Sequence, residues 1–214
     1  DNINLLKEKY KKLDLHDHHE AHAASAYFYS GWNKCYVLTI DGWGDDASSK
    51  LYKAINGKLT QITTTSSIDS LGYFYGSITS LLGYKPHRHE GKILGLAAFG
   101  DHKKAYSYIS KMISYDKLNK CFKGNFEKGL YLSKFDNPNI KFLNKKFSPE
   151  DIAAATQKRI EEVIIEFIKD NIKDNTKIAL AGGVFSNVKI NQKISELKNI
   201  KDIFIYPNMG DGGL

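Results

Sequence analysis

Cysteine is nearly absent. Only Cys35 and Cys121 occur in 214 residues, so no disulfide framework is expected and a reducing cytoplasm is the expected compartment. No run of apolar residues approaches the roughly 20 that cross a bilayer, and no signal peptide is recognised at the start, so a soluble protein without a membrane partner is expected. Arginine is equally scarce: of 31 basic residues only Arg88 and Arg159 are Arg. Lysine is a mobile, strongly hydrated point charge, poorly suited to bidentate reading of phosphate or guanine. The net charge of +7 therefore reads as a solvated lysine surface, and a nucleic-acid partner is not expected. With 42% hydrophobic residues the chain has material for a sizeable core, in one large domain or two small ones.

What is abundant is histidine, in one place. His16, His18, His19 and His22 fall within seven residues, directly before the small, apolar run Ala21 to Ala26. If Glu20 to Ser30 is a helix stopped by Gly31, His18 and His22 stand one turn apart on one face, a spacing at which two imidazoles can hold one cation. Such a pair needs carboxylates from elsewhere, and two candidates leave strand-like runs. Cys35 to Asp41 is apolar and rich in β-branched and aromatic residues, and it turns through Gly42 and Gly44. Ile203 to Tyr206 leads past Pro207 to Asp211 in a glycine turn. Carboxylates so placed point into the crevice at the carboxyl end of a sheet, where open α/β folds bind ligands.

The rest of the chain supplies the scaffold. Asn4 to Leu13 reads as a short amphipathic helix. Ser48 to Ile55 and Lys58 to Thr65 are strands joined at Asn56-Gly57, a strong hairpin signal, so three antiparallel strands are expected with Cys35 to Asp41. Ser70 to Leu82 has helical spacing and stops at Gly83. The stretch His89 to Gly100, with three glycines and few charges, is too constrained for an ordinary surface loop. Asp101 to Phe147 is Lys/Asn/Tyr-rich and reads as an elaboration holding one helix and short strands. Ser148-Pro149-Glu150-Asp151 opens a helix to about Lys169. Lys177 to Ala181 is a strand delivering Gly182-Gly183 into a further helix.

Gly182-Gly183 after a strand lets the backbone approach a ligand closely, and free amides at a helix start bind phosphate, with Asn187 expected in the first turn. Without context the same pair is a tight turn. Lys92 is either one solvated lysine among many or, enclosed in Glu90 to Gly95, an ammonium held near an anion. Tyr73 and Tyr75 read as core or rim aromatics.

At these residues the sequence resembles the O-carbamoyltransferase family of nodulation and antibiotic-tailoring enzymes and, more distantly, the tRNA threonylcarbamoyltransferase. The segments that carry the likeness are His18 to Ala26, Asp41 to Asp45, Ser70 to Ala97 including Glu90-Gly91-Lys92, Ala181 to Val184 with Asn187 and Asn191, and Pro207 to Gly212. The resemblance implies an α/β actin-like ATPase (ribonuclease H-like) domain with a mixed sheet and flanking helices. Residues 1–31 would form a helical segment bearing the histidines, and 32–214 the second lobe of the duplicated fold with its elaboration at about 101–147. It implies a metal held by His18, His22, Asp41 and Asp211, Fe2+ before Zn2+ or Mn2+, and adenylate contacts from Gly83, Gly182, Gly183 and Asn187. His19 and Lys92 would be catalytic.

The implied activity is transfer of a carbamoyl group from carbamoyl-adenylate, made from carbamoyl phosphate and ATP, to the hydroxyl of a sugar or natural product. The first lobe and the adenylate-forming domain are expected outside these residues. The chain departs from the family at Ala98, where Pro is usual, and at Phe185 and Ser186, where smaller or aliphatic residues are usual. The alternatives are threonylcarbamoyl transfer to tRNA, a non-catalytic nucleotide-binding module, and a plain actin-like kinase or ATPase. The last of these has no need of paired histidines.

Overall fold

The computed structural model describes residues 6, 9, 10 and 14–211. Of the helix expected over Asn4 to Leu13 only Leu6, Lys9 and Tyr10 are among them, and the glycines after Asp211 lie outside.

The histidine helix, α1, spans His18–Ser30. Asp17 caps it, its carboxylate accepting the Glu20 amide at 2.8 Å, and Gly31 ends it in the left-handed conformation at φ 69°, as a cap of this kind requires. Three strands follow: β1 Lys34–Gly44, β2 Ala47–Ile55 and β3 Lys58–Ser66. Asn56 and Gly57 join β2 to β3 with both φ angles positive, the turn whose twist matches a hairpin. Helices α2 (Leu71–Leu81), α3 (Glu90–Ala97) and α4 (His102–Ile109) come next. The hairpin β4 (Ile113–Asp116) and β5 (Cys121–Gly124) and a single turn, α5 (Leu143–Lys146), complete the elaboration. The long helix α6 (Pro149–Asn171) begins where the Ser148 hydroxyl accepts the Asp151 amide. It leads to β6 (Thr176–Ala181), α7 (Val188–Ser195) and β7 (Ile200–Ile205).

The main sheet has the order β3-β2-β1-β6-β7. β1 is its centre, antiparallel to β2 and parallel to β6, and β7 runs parallel to β6. Strand alternation divides the core in two. Tyr36, Leu38 and Ile40 join the larger core with Phe74, Ile78, Ile164 and Phe167 of α2 and α6. Cys35 and Val37 face the other way, toward Ala23, Ala26 and Tyr27 of α1 and Ala179 and Ala181 of β6. Each fully buried Leu, Ile or Phe contributes about 1.5–3 kcal/mol of transfer free energy, enough in sum to clamp helices on both faces. Small residues on α1 let it lie close to the sheet. α1 thus forms one of the layers that cover this sheet.

Two local expectations are refined. The stretch His89 to Gly100 is the helix α3 and its exit turn. After Gly182 the chain makes a 3-10 turn, Gly183–Ser186, before α7 starts. Asn187 is then the cap of α7 and not a residue of its first turn, because its carboxamide oxygen accepts the Lys189 and Ile190 amides at 3.2 Å each.

Candidate metal centre and adjoining cleft

Three segments, two of them consecutive and one remote, meet at the carboxyl end of β1. α1 presents His18 and His22 on one face, and β1 delivers Asp41. The chain beyond β7 brings Asp211. His22 Nε2 is 3.2 Å from Asp41 Oδ2 and 3.3 Å from Asp211 Oδ1, and His18 Nε2 is 3.5 Å from each of the same atoms. One ligand atom from each of the four residues lies within 4.8 Å of all the others. The His22 side chain is fully buried, whereas that of Asp211 is 69% exposed, so the cluster opens to solvent on the Asp211 side.

The donor set suits a divalent cation. Two imidazoles and two carboxylates fit Fe2+, Zn2+ or Mn2+. His18 Nε2 is buried and finds no hydrogen-bond partner among the described residues, a state that costs about 1–3 kcal/mol unless something polar satisfies it. The backbone is shaped to leave the site free. A Cβ on Gly44 would stand 2.0 Å from the His18 ring, and one on Gly183 would stand 3.2 Å from Asp41 Oδ1. Burial pushes the Asp41 carboxyl up, but the hydrogen bond from His22, the Gly42 amide at 2.7 Å and the neighbouring imidazoles together hold it below the ordinary carboxylate value.

His19 goes elsewhere. Its ring is fully buried against the sheet, with Nε2 3.1 Å from the Ala47 carbonyl and Nδ1 2.9 Å from the Thr39 hydroxyl. A carbonyl oxygen only accepts, so Nε2 carries the proton and Nδ1 accepts from Thr39. Burial, the dominant cause, pushes its pKa down to about 4. Both nitrogens are thereby engaged, and the structure gives the catalytic assignment of His19 no free atom to act with.

A cleft of about 540 Å3 adjoins the cluster and includes Asp41 and Asp211 in its wall. Gly183 and Asn187 line it, and Gly182, Gly83 and Lys92 do not. Gly182, at φ 96°, is needed for a different reason: a Cβ there would sit 2.3 Å from the Ile40 carbonyl oxygen of β1. Gly83, at φ 81°, ends α2. Lys92 is exposed on α3, with its ammonium 5.5 Å from the Tyr84 ring centroid. The side chain of Asn187, besides capping α7, pairs with Gln157: its Nδ2 donates to Gln157 Oε1 at 2.8 Å, and Tyr75 donates to the same oxygen at 3.1 Å.

The cleft also contains residues that the sequence did not single out, His87, Arg88 and Phe135. Arg88 had a legible signal, as one of only two arginines. Phe135 had none, since it lies in the weakly patterned region 101–147.

The architecture is that of an actin-like ATPase-type α/β protein, a mixed sheet with helices on both faces. A solved structure of component A of (R)-2-hydroxyglutaryl-CoA dehydratase from Acidaminococcus fermentans shares it. That structure matches 90% of this chain and 62% of its own with a TM-score of 0.53 at 19% identity, a likeness of fold alone. The sequence is more specific: residues 2–214 match the carbamoyltransferase N-terminus family, and the chain belongs to it. An uncharacterized protein of Methanocaldococcus jannaschii is 32% identical over 234 residues, covering 98% of this chain and 37% of the relative. Nodulation protein NolNO of Sinorhizobium fredii is 28% identical over 214 residues, covering 94% and 30%. The chain thus spans about a third of the length of these curated relatives. Among the described residues no helix is long and apolar enough to cross a membrane.

Proposed function

We propose that this chain carries the transfer cleft of an O-carbamoyltransferase, which moves a carbamoyl group from carbamoyl-adenylate to a hydroxyl of a sugar or natural product. His18, His22, Asp41 and Asp211 would hold a divalent cation, Fe2+ first. Two supports underlie the reading: family membership, and the approach of four ligating atoms to within 4.8 Å beside a cleft of substrate size. The convergence is the observation that carries it, because side chains from three separate segments do not gather a mixed histidine–carboxylate set by sheet packing alone.

When bound, such a cation supplies Lewis-acid polarisation of the carbamoyl oxygen and neutralises charge on the departing phosphate. The chain's own residues do the rest. Gly183 admits a ligand close to the backbone beside Asp41. Arg88 brings a permanent cation to the cleft wall, suited to an adenylate phosphate. Val184, Ile160 and Ile190 give the cleft an apolar lining that excludes water from the activated donor, which water would otherwise hydrolyse. The adenylate-forming activity, with its carbamoyl phosphate and ATP, is assigned to sequence outside this chain.

The test is to incubate the full-length enzyme with carbamoyl phosphate, ATP, Fe2+ and a panel of sugars, and to examine products by mass spectrometry. Carbamoylated sugar from the native enzyme and its loss in Asp211→Ala are expected. Modification of tRNA with no product from any small hydroxyl acceptor would refute the reading.

A further inference from the structure

Phe135 is a cleft residue supplied by the elaboration, and the structure holds it firmly. Tyr131, fully buried, donates its hydroxyl to the Ser70 carbonyl at 3.1 Å. Asn137 Nδ2 donates to the Gly129 carbonyl at 3.1 Å, and Asn144 Nδ2 to the Leu81 carbonyl at 2.7 Å. The chain on either side of Phe135 is thereby pinned to both ends of α2. The ring packs against Tyr73 and His87, with centroids 4.7 and 4.6 Å away, and also lines the cleft. Gly76 of α2 makes room for it: a Cβ there would sit 2.4 Å from Phe135 Cε1. A helix interior disfavours glycine by roughly 1 kcal/mol relative to alanine, and seating this ring accounts for its presence.

Phe135 also borders a second, smaller cleft of about 300 Å3 whose wall includes Ser77, Ser80, Asp136, Asn137 and Asn144. Phe135 thus stands in the walls of two clefts, one shared with Asp41 and Asp211 and the other with Ser77, Ser80 and Asp136, and an aromatic wall edged by polar residues matches a ring-shaped polyhydroxy compound. Its apolar face stacks on an aromatic ring while its hydroxyls meet polar groups. On the carbamoyl-transfer reading Gly183 and Asn187 take the donor, which leaves the aromatic wall to the acceptor.

We infer that Phe135 is a specificity-determining residue for the acceptor, stacking on the face of a sugar ring. The inference rests on the carbamoyl-transfer reading and names the acceptor class within it.

The experiment uses the full-length enzyme with carbamoyl phosphate and ATP, a set of methyl glycosides as ring acceptors and sorbitol as an open-chain one. The expected result is that Phe135→Ala and Phe135→Leu raise KM for the glycosides about tenfold, the scale of one lost aromatic stacking contact. Phe135→Tyr restores it, and ADP affinity stays unchanged. Gly76→Ala, which displaces the ring, should copy the KM effect. An unchanged glycoside KM, weakened ADP binding in place of weakened acceptor binding, or a native preference for sorbitol would each overturn the inference. Failure of the native enzyme to carbamoylate any hydroxyl would instead strike the carbamoyl-transfer reading itself.

Discussion

His22 Nε2 stands 3.2 Å from Asp41 Oδ2, so a residue one turn into α1 meets the carboxylate that ends the apolar part of the central strand. Ala23 and Ala26 set this distance by packing α1 tightly on the sheet, and Asp17 secures the helix from its first turn. Asp17 accepts the Glu20 amide and pairs with Lys50 of β2 at 2.6 Å. Helix position and ligand geometry are therefore coupled.

Substituting a residue that is not itself a ligand should disturb the centre. Gly44→Ala puts a methyl group 2.0 Å from His18 Cδ2, and the ring must move. Metal affinity is expected to fall about ten- to a hundredfold, the range for changes beside a ligand. Gly42→Ala, whose Cβ meets nothing within 4 Å, should leave it intact. Competition with a chromophoric chelator measures both, and equal affinities for the two variants would argue against the proposed ligand set.

Metal binding should also appear as stability. A cation at a hundredfold its Kd stabilises the folded state by about 2.7 kcal/mol, so adding EDTA to the Fe2+-loaded protein should lower the thermal midpoint. In Asp211→Ala, which removes the exposed ligand, the EDTA-sensitive shift should largely vanish. A full shift in that variant would place the cation elsewhere.

Asn187 is expected to act first on stability. Its carboxamide caps α7 and pairs with buried Gln157, so Asn187→Ala should cost about 1–2 kcal/mol in chemical denaturation. Asn187→Ser keeps a capping oxygen and should recover part of that loss. A neutral effect of the alanine change would show that these hydrogen bonds carry little.

Acid sensitivity should trace to Asp151, which accepts the Asp101 amide at 2.8 Å and pairs with Lys104 at 3.0 Å. The amide hydrogen bond, the largest cause, and Lys104 hold its carboxyl below 3.8. A depressed carboxyl contributes stability above its unfolded value and loses it as pH falls through the folded one. The contribution is thus complete at neutral pH and fades below about 3.8. Asp151→Asn should lower stability at pH 7 and shallow the acid limb of a stability–pH curve. Parallel limbs for both proteins would exclude this role.

Much was legible in the chain because its signals are local. The Asn56-Gly57 hairpin, the Ser148-Pro149 helix start and the Gly31 stop each depend on a few neighbouring residues, and each stands where the pattern puts it. His18 and His22 were readable as a pair for the same reason, since helical spacing alone puts them on one face. His19 and Lys92 were not: a ring's direction and an ammonium's distance from a cleft depend on how a helix is rotated against its sheet. Nothing local in Lys134 to Asp136 marks Phe135 as a cleft residue either, because its place follows from the vacancy left by Gly76 on another element.

The primary structure by itself determined the order of the elements and the chemical kinds of group offered to a ligand, because periodicity, capping and turn chemistry act over a few residues, and the class of fold came with the family resemblance. Only the tertiary structure decided which of those groups meet. Bringing positions 18, 22, 41 and 211 within 4.8 Å takes the close seating of α1 on β1 and the path of the chain beyond β7. Those arrangements are set by burial and packing between whole elements, which no local pattern of residues specifies.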